Sequence, residues 1–292
     1  MVRHGKIVAA TSYKPSLKDA TLSIMYMGID IGGTKTLIAA LSDNGEIAAS
    51  VKFATPTDYD EFHAELKRSL QELPFDDFRA GCVAAPGAID RHHGVFKQGG
   101  NLTWKNVPLQ HDIEQLVHCP MLIENDANLA GLSEAMLLKQ HQKVLYITLS
   151  TGIGTGFIVN QQIDPSLADM EGGQLLFQRG DRTEKWESFA SGKAIFERYH
   201  QKASEIDDPK IWQTIVKDWT IGFLDLIAVT EPDVIVLGGG VGHYLPKYHD
   251  FLVAELQRYA TPLTPLPPIV KAQRPDLCVI YGCYDLARSV YA

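Results

Sequence analysis

Three times in this chain an apolar run of strand length stops at a bend rich in glycine. Residues 27–31 run into Gly32-Gly33-Thr34, residues 144–149 into Ser150-Thr151-Gly152-Ile153-Gly154-Thr155, and residues 234–237 into Gly238-Gly239-Gly240. A glycine bend behind a strand exposes backbone N–H groups without a side chain in front of them, which suits an approaching phosphate. One such bend is explained equally well by hairpin geometry; three together favour phosphate or nucleotide binding. The first bend is not a Walker loop, because Thr34 separates Gly33 from Lys35 and an apolar run over 37–41 follows where a helix is required. The second lacks the third-glycine spacing and following helix of a dinucleotide fingerprint.

The flanking pattern predicts how these bends are carried. Residues 27–31, 37–41 and 47–53, with Asp43-Asn44-Gly45 as a turn, read as a three-strand antiparallel meander. Phe62, Leu66, Leu70 and Leu73 predict a helix over 58–73 capped by Thr57. A strand over 81–85 closed by Pro86-Gly87, a short helix over 113–117, a strand over 121–123 and a helix over 127–138 follow. A second round then begins: strand 144–149, glycine turn 151–156, strand 157–159, turn 160–162. This repetition predicts a duplicated architecture with a cleft between halves. Helices are expected around 211–227 and 252–259, a loop over 262–268, and a last strand over 279–280 before a closing helix. The expected domains are an extension over 1–26 with a strand around 7–10, a small α/β lobe over 27–126 joined by a C-terminal helix 281–292, and a large α/β lobe over 127–280.

At 292 residues and 45% hydrophobic composition the chain can bury one large or two modest cores. Its 27 basic against 35 acidic residues disfavour a nucleic-acid partner, whose affinity comes from clustered Lys and Arg. The N-terminal 26 residues are too few for a helix-turn-helix domain and lack a signal-peptide apolar stretch, and no run has the length of a membrane span. The four cysteines form no C-x-x-C pair, so reduced thiols in a cytoplasmic protein are expected. Trp212, Trp219 and Phe223 share a helical stripe that reads as core, with a homodimer face as the second reading.

Four segments carry a family resemblance: Asp30-Ile31-Gly32-Gly33-Thr34-Lys35-Thr36, Asn101-Leu102-x-Trp104, Glu124-Asn125-Asp126-Ala127-Asn128 and Leu237-Gly238-Gly239-Gly240-Val241. Together they resemble the ROK family of bacterial sugar kinases, within the actin and hexokinase superfamily, from about residue 27 to the C-terminus. The resemblance implies a two-lobed actin/hexokinase-like (ribonuclease H-like) α/β fold with an interdomain cleft, binding ATP, Mg2+ and a small-molecule sugar. It implies Asp126 as the general base on a sugar hydroxyl, with a helix N-cap as the plainer role. Asp30 would organise Mg2+ through water. Gly32, Gly33, Thr34, Lys35, Thr151, Gly152, Gly154, Gly238, Gly239 and Gly240 would border the nucleotide. Pro86, Gly87, Asn101, Asn125, Glu171, Gln174 and Glu187 would surround the sugar.

One family feature is missing. Members typically carry E-x-G-H, whose histidine touches sugar and zinc, followed by a cysteine-rich segment. Here Glu171-Gly172-Gly173-Gln174 places glutamine at the histidine position, and residues 179–187 contain no cysteine. No structural Zn2+ is therefore expected, because a zinc site needs thiolate or imidazole ligands. Glu187 is expected to be held by packing instead. Gln174 donates and accepts hydrogen bonds but carries no charge, so the sugar preference is expected to differ from that of usual members. The readings in order are an ATP-dependent kinase for a hexose or amino sugar, a kinase for a non-standard sugar, and a sugar-binding sensor without turnover.

Overall fold

The structure, a computed structural model, describes residues 6–7, 24–100 and 102–292. It forms two compact units, Met1–Leu129 with Val279–Ala292 and Ala130–Cys278. In chain order the first contains β1 (Lys6–Ile7), β2 (Met25–Ile31), β3 (Lys35–Ser42), β4 (Ile47–Ala54), α1 (Tyr59–Leu70), β5 (Ala80–Ala85), β6 (Ala88–Asp90), β7 (Val95–Gln98), α2 (Leu109–Val117) and β8 (Met121–Asn125). Helix α3 (Asp126–Ala135) carries the chain from the first unit into the second. There follow β9 (Lys143–Leu149), β10 (Ile153–Val159), β11 (Gln162–Ile163), β12 (Leu176–Arg179), β13 (Arg182–Lys185), α4 (Trp186–Ala190), α5 (Gly192–Tyr199) and α6 (Pro209–Thr230). The second unit ends with β14 (Val234–Gly238), α7 (Gly239–Gly242), α8 (His249–Gln257) and β15 (Ile269–Lys271), and α9 (Cys278–Tyr291) closes the chain.

The first sheet has the order β1-β4-β3-β2-β5-β8, antiparallel through β4, β3 and β2 and parallel through β2, β5 and β8. Alternation along β2 sorts its two faces. Met25, Met27, Ile29 and Ile31 enter a core with Phe62 and Leu66 of α1 and Leu109 and Ile113 of α2. Tyr26 enters a second core with Ile280, Cys283, Tyr284 and Ala287, the buried stripe of α9. That stripe recurs at i, i+3, i+4 and i+7, so residues 279–280, read from sequence as a strand, belong to a helix. The short apolar pair is one turn of a longer amphipathic pattern, and the last strand is β15 instead.

The second sheet runs β11-β10-β9-β14-β15, with β9 antiparallel to β10 and parallel to β14. Its core gathers Leu145, Ile147 and Leu149 of β9 with Trp212, Trp219 and Phe223 of α6, all essentially inaccessible. The aromatic stripe on α6 is thus core: Tyr248 packs tilted against Trp212 and edge-on against Trp219 at centroid distances of 4.8 and 4.9 Å. Helix α6 starts where Asp208 accepts the Lys210 N–H and Pro209 occupies the first turn.

Several boundaries differ from expectation. The cap of α1 is Asp58, whose Oδ1 accepts the N–H groups of Asp60 and Glu61, and not Thr57. The 151–156 turn is shorter than expected: β10 already begins at Ile153, and Gly154 pairs with Thr148 inside the ladder. Glycine offers the same backbone donors and acceptors as any residue, so a ladder can absorb it. Of the strand expected around 7–10, Ile7 belongs to β1, which pairs with β4, while residues 8–10 lie outside the described residues.

Candidate functional site

In the first unit the predicted acids collect at the carboxyl ends of the parallel strands β2, β5 and β8. Register places Asp30 beside Ala84 and Ala84 beside Glu124, so both acids occupy one row on one face. Asn125 ends β8 one residue later, and Asp126 opens α3. Open α/β sheets bind their ligands at this end of the strands.

The Asn125 side chain, not Asp126 alone, caps α3. Its Oδ1 accepts the Ala127 N–H at 2.8 Å and the Asn128 N–H at 3.3 Å, while its Nδ2 donates to the Gly87 carbonyl at 3.3 Å. Asp126 Oδ1 also accepts the Ala127 N–H at 2.8 Å. Asp126 is half-buried by surface area, yet burial of its carboxyl pushes its pKa up, with the Ala127 hydrogen bond opposing. Asp30 is pushed up to about 7, first by burial and then by the charge of Asp126, with Lys52 pulling the other way. Lys52 lies in the same register row, across Leu37 from Asp30.

The bend after β2 is pinned from β4. Thr55 Oγ1 donates to the Gly32 carbonyl at 2.8 Å, its N–H donates to the Thr34 carbonyl at 3.1 Å, and the Gly32 N–H donates to the Lys35 carbonyl at 3.0 Å. Gly32 and Gly33 are half-buried, whereas Thr34 and Lys35 are exposed. Behind Pro86, Gly87 has φ of +100° and packs on Gly99 so closely that a Cβ would lie 2.5 Å from the Gly99 Cα. No other residue fits there. Asn101 lies outside the described residues.

In the second unit the expected nucleotide groups meet at the ends of β9 and β14. The Gly192 N–H at the start of α5 donates to the Ser150 carbonyl at 2.7 Å. Gly239, with φ of +76°, sits against the Leu149 carbonyl and the Thr148 hydroxyl. Thr151 and Gly240 are exposed, Gly239 and Gly152 half-buried, and Gly238 buried; a Cβ at Gly240 would meet nothing within 4 Å. Nearby, Gln174 Nε2 donates to Glu187 Oε1 at 2.6 Å, and Glu187 Oε2 faces Gly152, where a Cβ would lie 2.9 Å from it. Exposed Glu171 precedes the turn holding Gln174, and Thr155 fixes that turn by accepting the Gly172 N–H at 3.0 Å.

Sequence reasoning gave no role to Arg91, Glu124, Asn128 or Thr55. Glu124 had a usable signal, a charge ending the apolar run of a buried strand. Arg91 had none, since its partner lies 33 positions away.

Two oxygen-rich side chains raised in pKa by their surroundings suit a hard cation such as Mg2+, which binds through one or two carboxylates plus substrate phosphates. Among the described residues no cluster of three His, Cys, Asp or Glu side chains could hold a metal, and all four cysteines are free and buried. No helix among the described residues is long and apolar enough to cross a membrane.

The profile of the ROK family matches residues 26–290. A glucokinase of Streptomyces coelicolor is 24% identical, over 90% of this chain and 97% of the relative. An N-acetyl-D-glucosamine kinase of Vibrio parahaemolyticus is 27% identical, over 86% and 96%. The crystal structure of a ROK family glucokinase from Streptomyces griseus, in complex with glucose and AMPPNP, superposes with a TM-score of 0.77 at 23% identity, covering 91% of this chain and 99% of that one.

Proposed function

The chain belongs to the ROK family, and we propose that it is an ATP-dependent sugar kinase in which Asp126 takes the proton from the attacking hydroxyl. The observation that carries this reading is the pair of half-buried carboxylates, Asp30 and Asp126, at the carboxyl ends of the parallel strands β2 and β8, with the pKa of each raised. Phosphoryl transfer demands an aligned nucleophile and compensation of charge more than covalent chemistry. A raised pKa makes Asp126 a stronger base than a free carboxylate. Asn125 spends its carbonyl on the helix cap and leaves its amide facing Gly87, so the two flank a hydroxyl-binding position on one rigid turn.

Asp30 suits water-mediated binding of Mg2+, which would supply charge neutralisation to the phosphates. The bends at Gly32-Gly33-Thr34-Lys35, Thr151-Gly152 and Gly238-Gly239-Gly240 suit the nucleotide. Gly154, paired inside β10, serves better as a ladder residue than as a phosphate contact. Pro86, Gly87, Asn101, Glu171, Gln174 and Glu187 suit the sugar. Gln174 already donates to Glu187 and keeps its Oε1 as an acceptor beside that carboxylate, which favours a substrate rich in hydroxyl or amide donors such as a hexose or an N-acylated amino sugar. A cytoplasmic location accords with this chemistry, and a homodimer is compatible with it.

An ADP-release assay across hexoses, amino sugars and their N-acyl derivatives tests the reading. Turnover with at least one sugar, abolished in Asp126→Asn, supports it; sugar binding without turnover in the wild type would make the protein a sensor.

A further inference from the structure

We infer that Arg91 and Glu124 act as positioning residues for the reaction, clamping the turn that carries Asn125 and Asp126 to the Pro86–Gly87 segment. The inference rests on the kinase reading above. Glu124 is only 5% exposed, a carboxylate buried at the end of β8. Such a charge persists only when paired and hydrogen-bonded. Arg91 answers it with a two-pronged grip, Nε to Oε2 at 2.7 Å and Nη2 to Oε1 at 2.6 Å. Two further donors converge on Oε1: the backbone N–H of Asn125 at 2.7 Å and Asn128 Nδ2 at 2.9 Å.

These bonds surround Asp126 on both sides in sequence. Asn125 is held by its N–H from Glu124, and Asn128, one turn into α3, is held by its side chain to the same oxygen. Arg91 lies just past β6, the strand that leaves Gly87, and the Gly87 carbonyl accepts from Asn125 Nδ2. Two ties thus join residues 87–91 to residues 124–128, one through a neutral amide and one through an ion pair. The fork geometry of a guanidinium is what makes the second tie directional. Breaking it leaves Glu124 with a buried charge to satisfy, and the N–H of Asn125 then follows whatever Glu124 does. A displacement near 1 Å at a reacting group lowers rate by about 100-fold.

Arg91→Met is therefore expected to lower kcat/KM for the sugar by about 10- to 100-fold, mostly in kcat, with the nucleotide KM within about twofold of wild type. Arg91→Lys, which keeps the charge and loses the fork, is expected to recover part of the loss. Glu124→Gln, close in shape, provides the same reading if Arg91→Met does not fold, and is expected to show the same split. Unaltered sugar kinetics in a folded Arg91→Met or in Glu124→Gln, with only the melting temperature lowered, would assign the pair to folding alone and overturn the inference. The wild type is assayed first: if it neither binds nor phosphorylates any sugar, the kinase reading itself fails, an outcome distinct from normal kinetics in the variants.

Discussion

The two sheets share a plan and differ in what stands at its end. In each, an antiparallel hairpin is followed by two parallel strands, β3-β2-β5-β8 in one unit and β10-β9-β14-β15 in the other, with β4 and β11 in matching places outside the hairpin. At the end of the first stand Asp30, Glu124 and Asp126, with Arg91 and Lys52 answering them. At the end of the second stand Thr151, Gly152 and Gly238-Gly239-Gly240, backbone and hydroxyl groups with the Glu187 carboxylate beside Gly152. The same scaffold thus presents buried carboxylates at one end and open backbone donors at the other. This division suits a phosphoryl transfer, where one substrate must be deprotonated and the other only held.

The sharpest way to break this contrast is to neutralise the first end. Asp126→Asn is expected to lower kcat by about 100- to 10,000-fold, the range for loss of a general base, while sugar binding measured by calorimetry stays within a few-fold. Equal losses in binding and in kcat would make Asp126 a ligand instead of a base. At the second end, Gly240→Ala gives a cleaner probe than its neighbours, because a Cβ there meets no protein atom. The melting temperature is expected to hold or rise slightly, while the nucleotide KM rises about tenfold. An unchanged KM would mean that no phosphate approaches that glycine.

How much of this contrast was legible in sequence follows from the range of the interactions involved. While Asp30 and Asp126 are singled out through the family resemblance of the short segments that carry them, the glycine bends are written in consecutive residues, so local pattern reports them. The meander over β2, β3 and β4 was legible for the same reason, through alternation and an Asn-Gly turn. Arg91 and Glu124 meet only once β6 and β8 are folded, and no local period reports such a pair. The β12–β13 hairpin was hidden because both strands are largely exposed and polar, which erases alternation. Helix α9 was misread at its start because Val279-Ile280 resembles a strand until Cys283, Tyr284 and Ala287 are counted with it.

A third test sets stability against function within the first end. A carboxyl raised from 3.8 to about 7 binds a proton more tightly in the folded than in the unfolded chain. Its contribution to stability is therefore largest below about pH 4 and is lost as pH rises through about 7. Asp30→Asn is accordingly expected to raise the stability of the metal-free protein at pH 8, by roughly 1–3 kcal/mol, while removing Mg2+-dependent activity. In the wild type, added Mg2+ is expected to raise the melting temperature more at pH 8 than at pH 6, because the cation prefers the ionised carboxylate. Stability that falls in Asp30→Asn at pH 8 would contradict the strain assigned to this position.

The smallest expected effect concerns the second end, where Glu187 must be held in place. Trp186, fully buried, donates from its ring N–H to the Asp218 carbonyl at 3.2 Å and packs so tightly on Gly222 that a Cβ there would lie 2.3 Å from the indole. Asp218 in turn takes Arg179 at 3.3 Å and also pairs with Arg198, and Gln174 holds the Glu187 carboxylate directly. Glu187 is held directly by the Gln174 amide, and its chain neighbour Trp186 is fixed by packing and by its bond to the Asp218 carbonyl. A zinc-selective chelator, applied with Mg2+ in excess, is thus expected to leave both the melting temperature and the sugar KM unchanged. Gly222→Ala, by overpacking the indole, should destabilise by about 1–3 kcal/mol and raise the sugar KM through Glu187. Loss of activity on chelation, restored by zinc, would show that packing alone does not hold this end of the site.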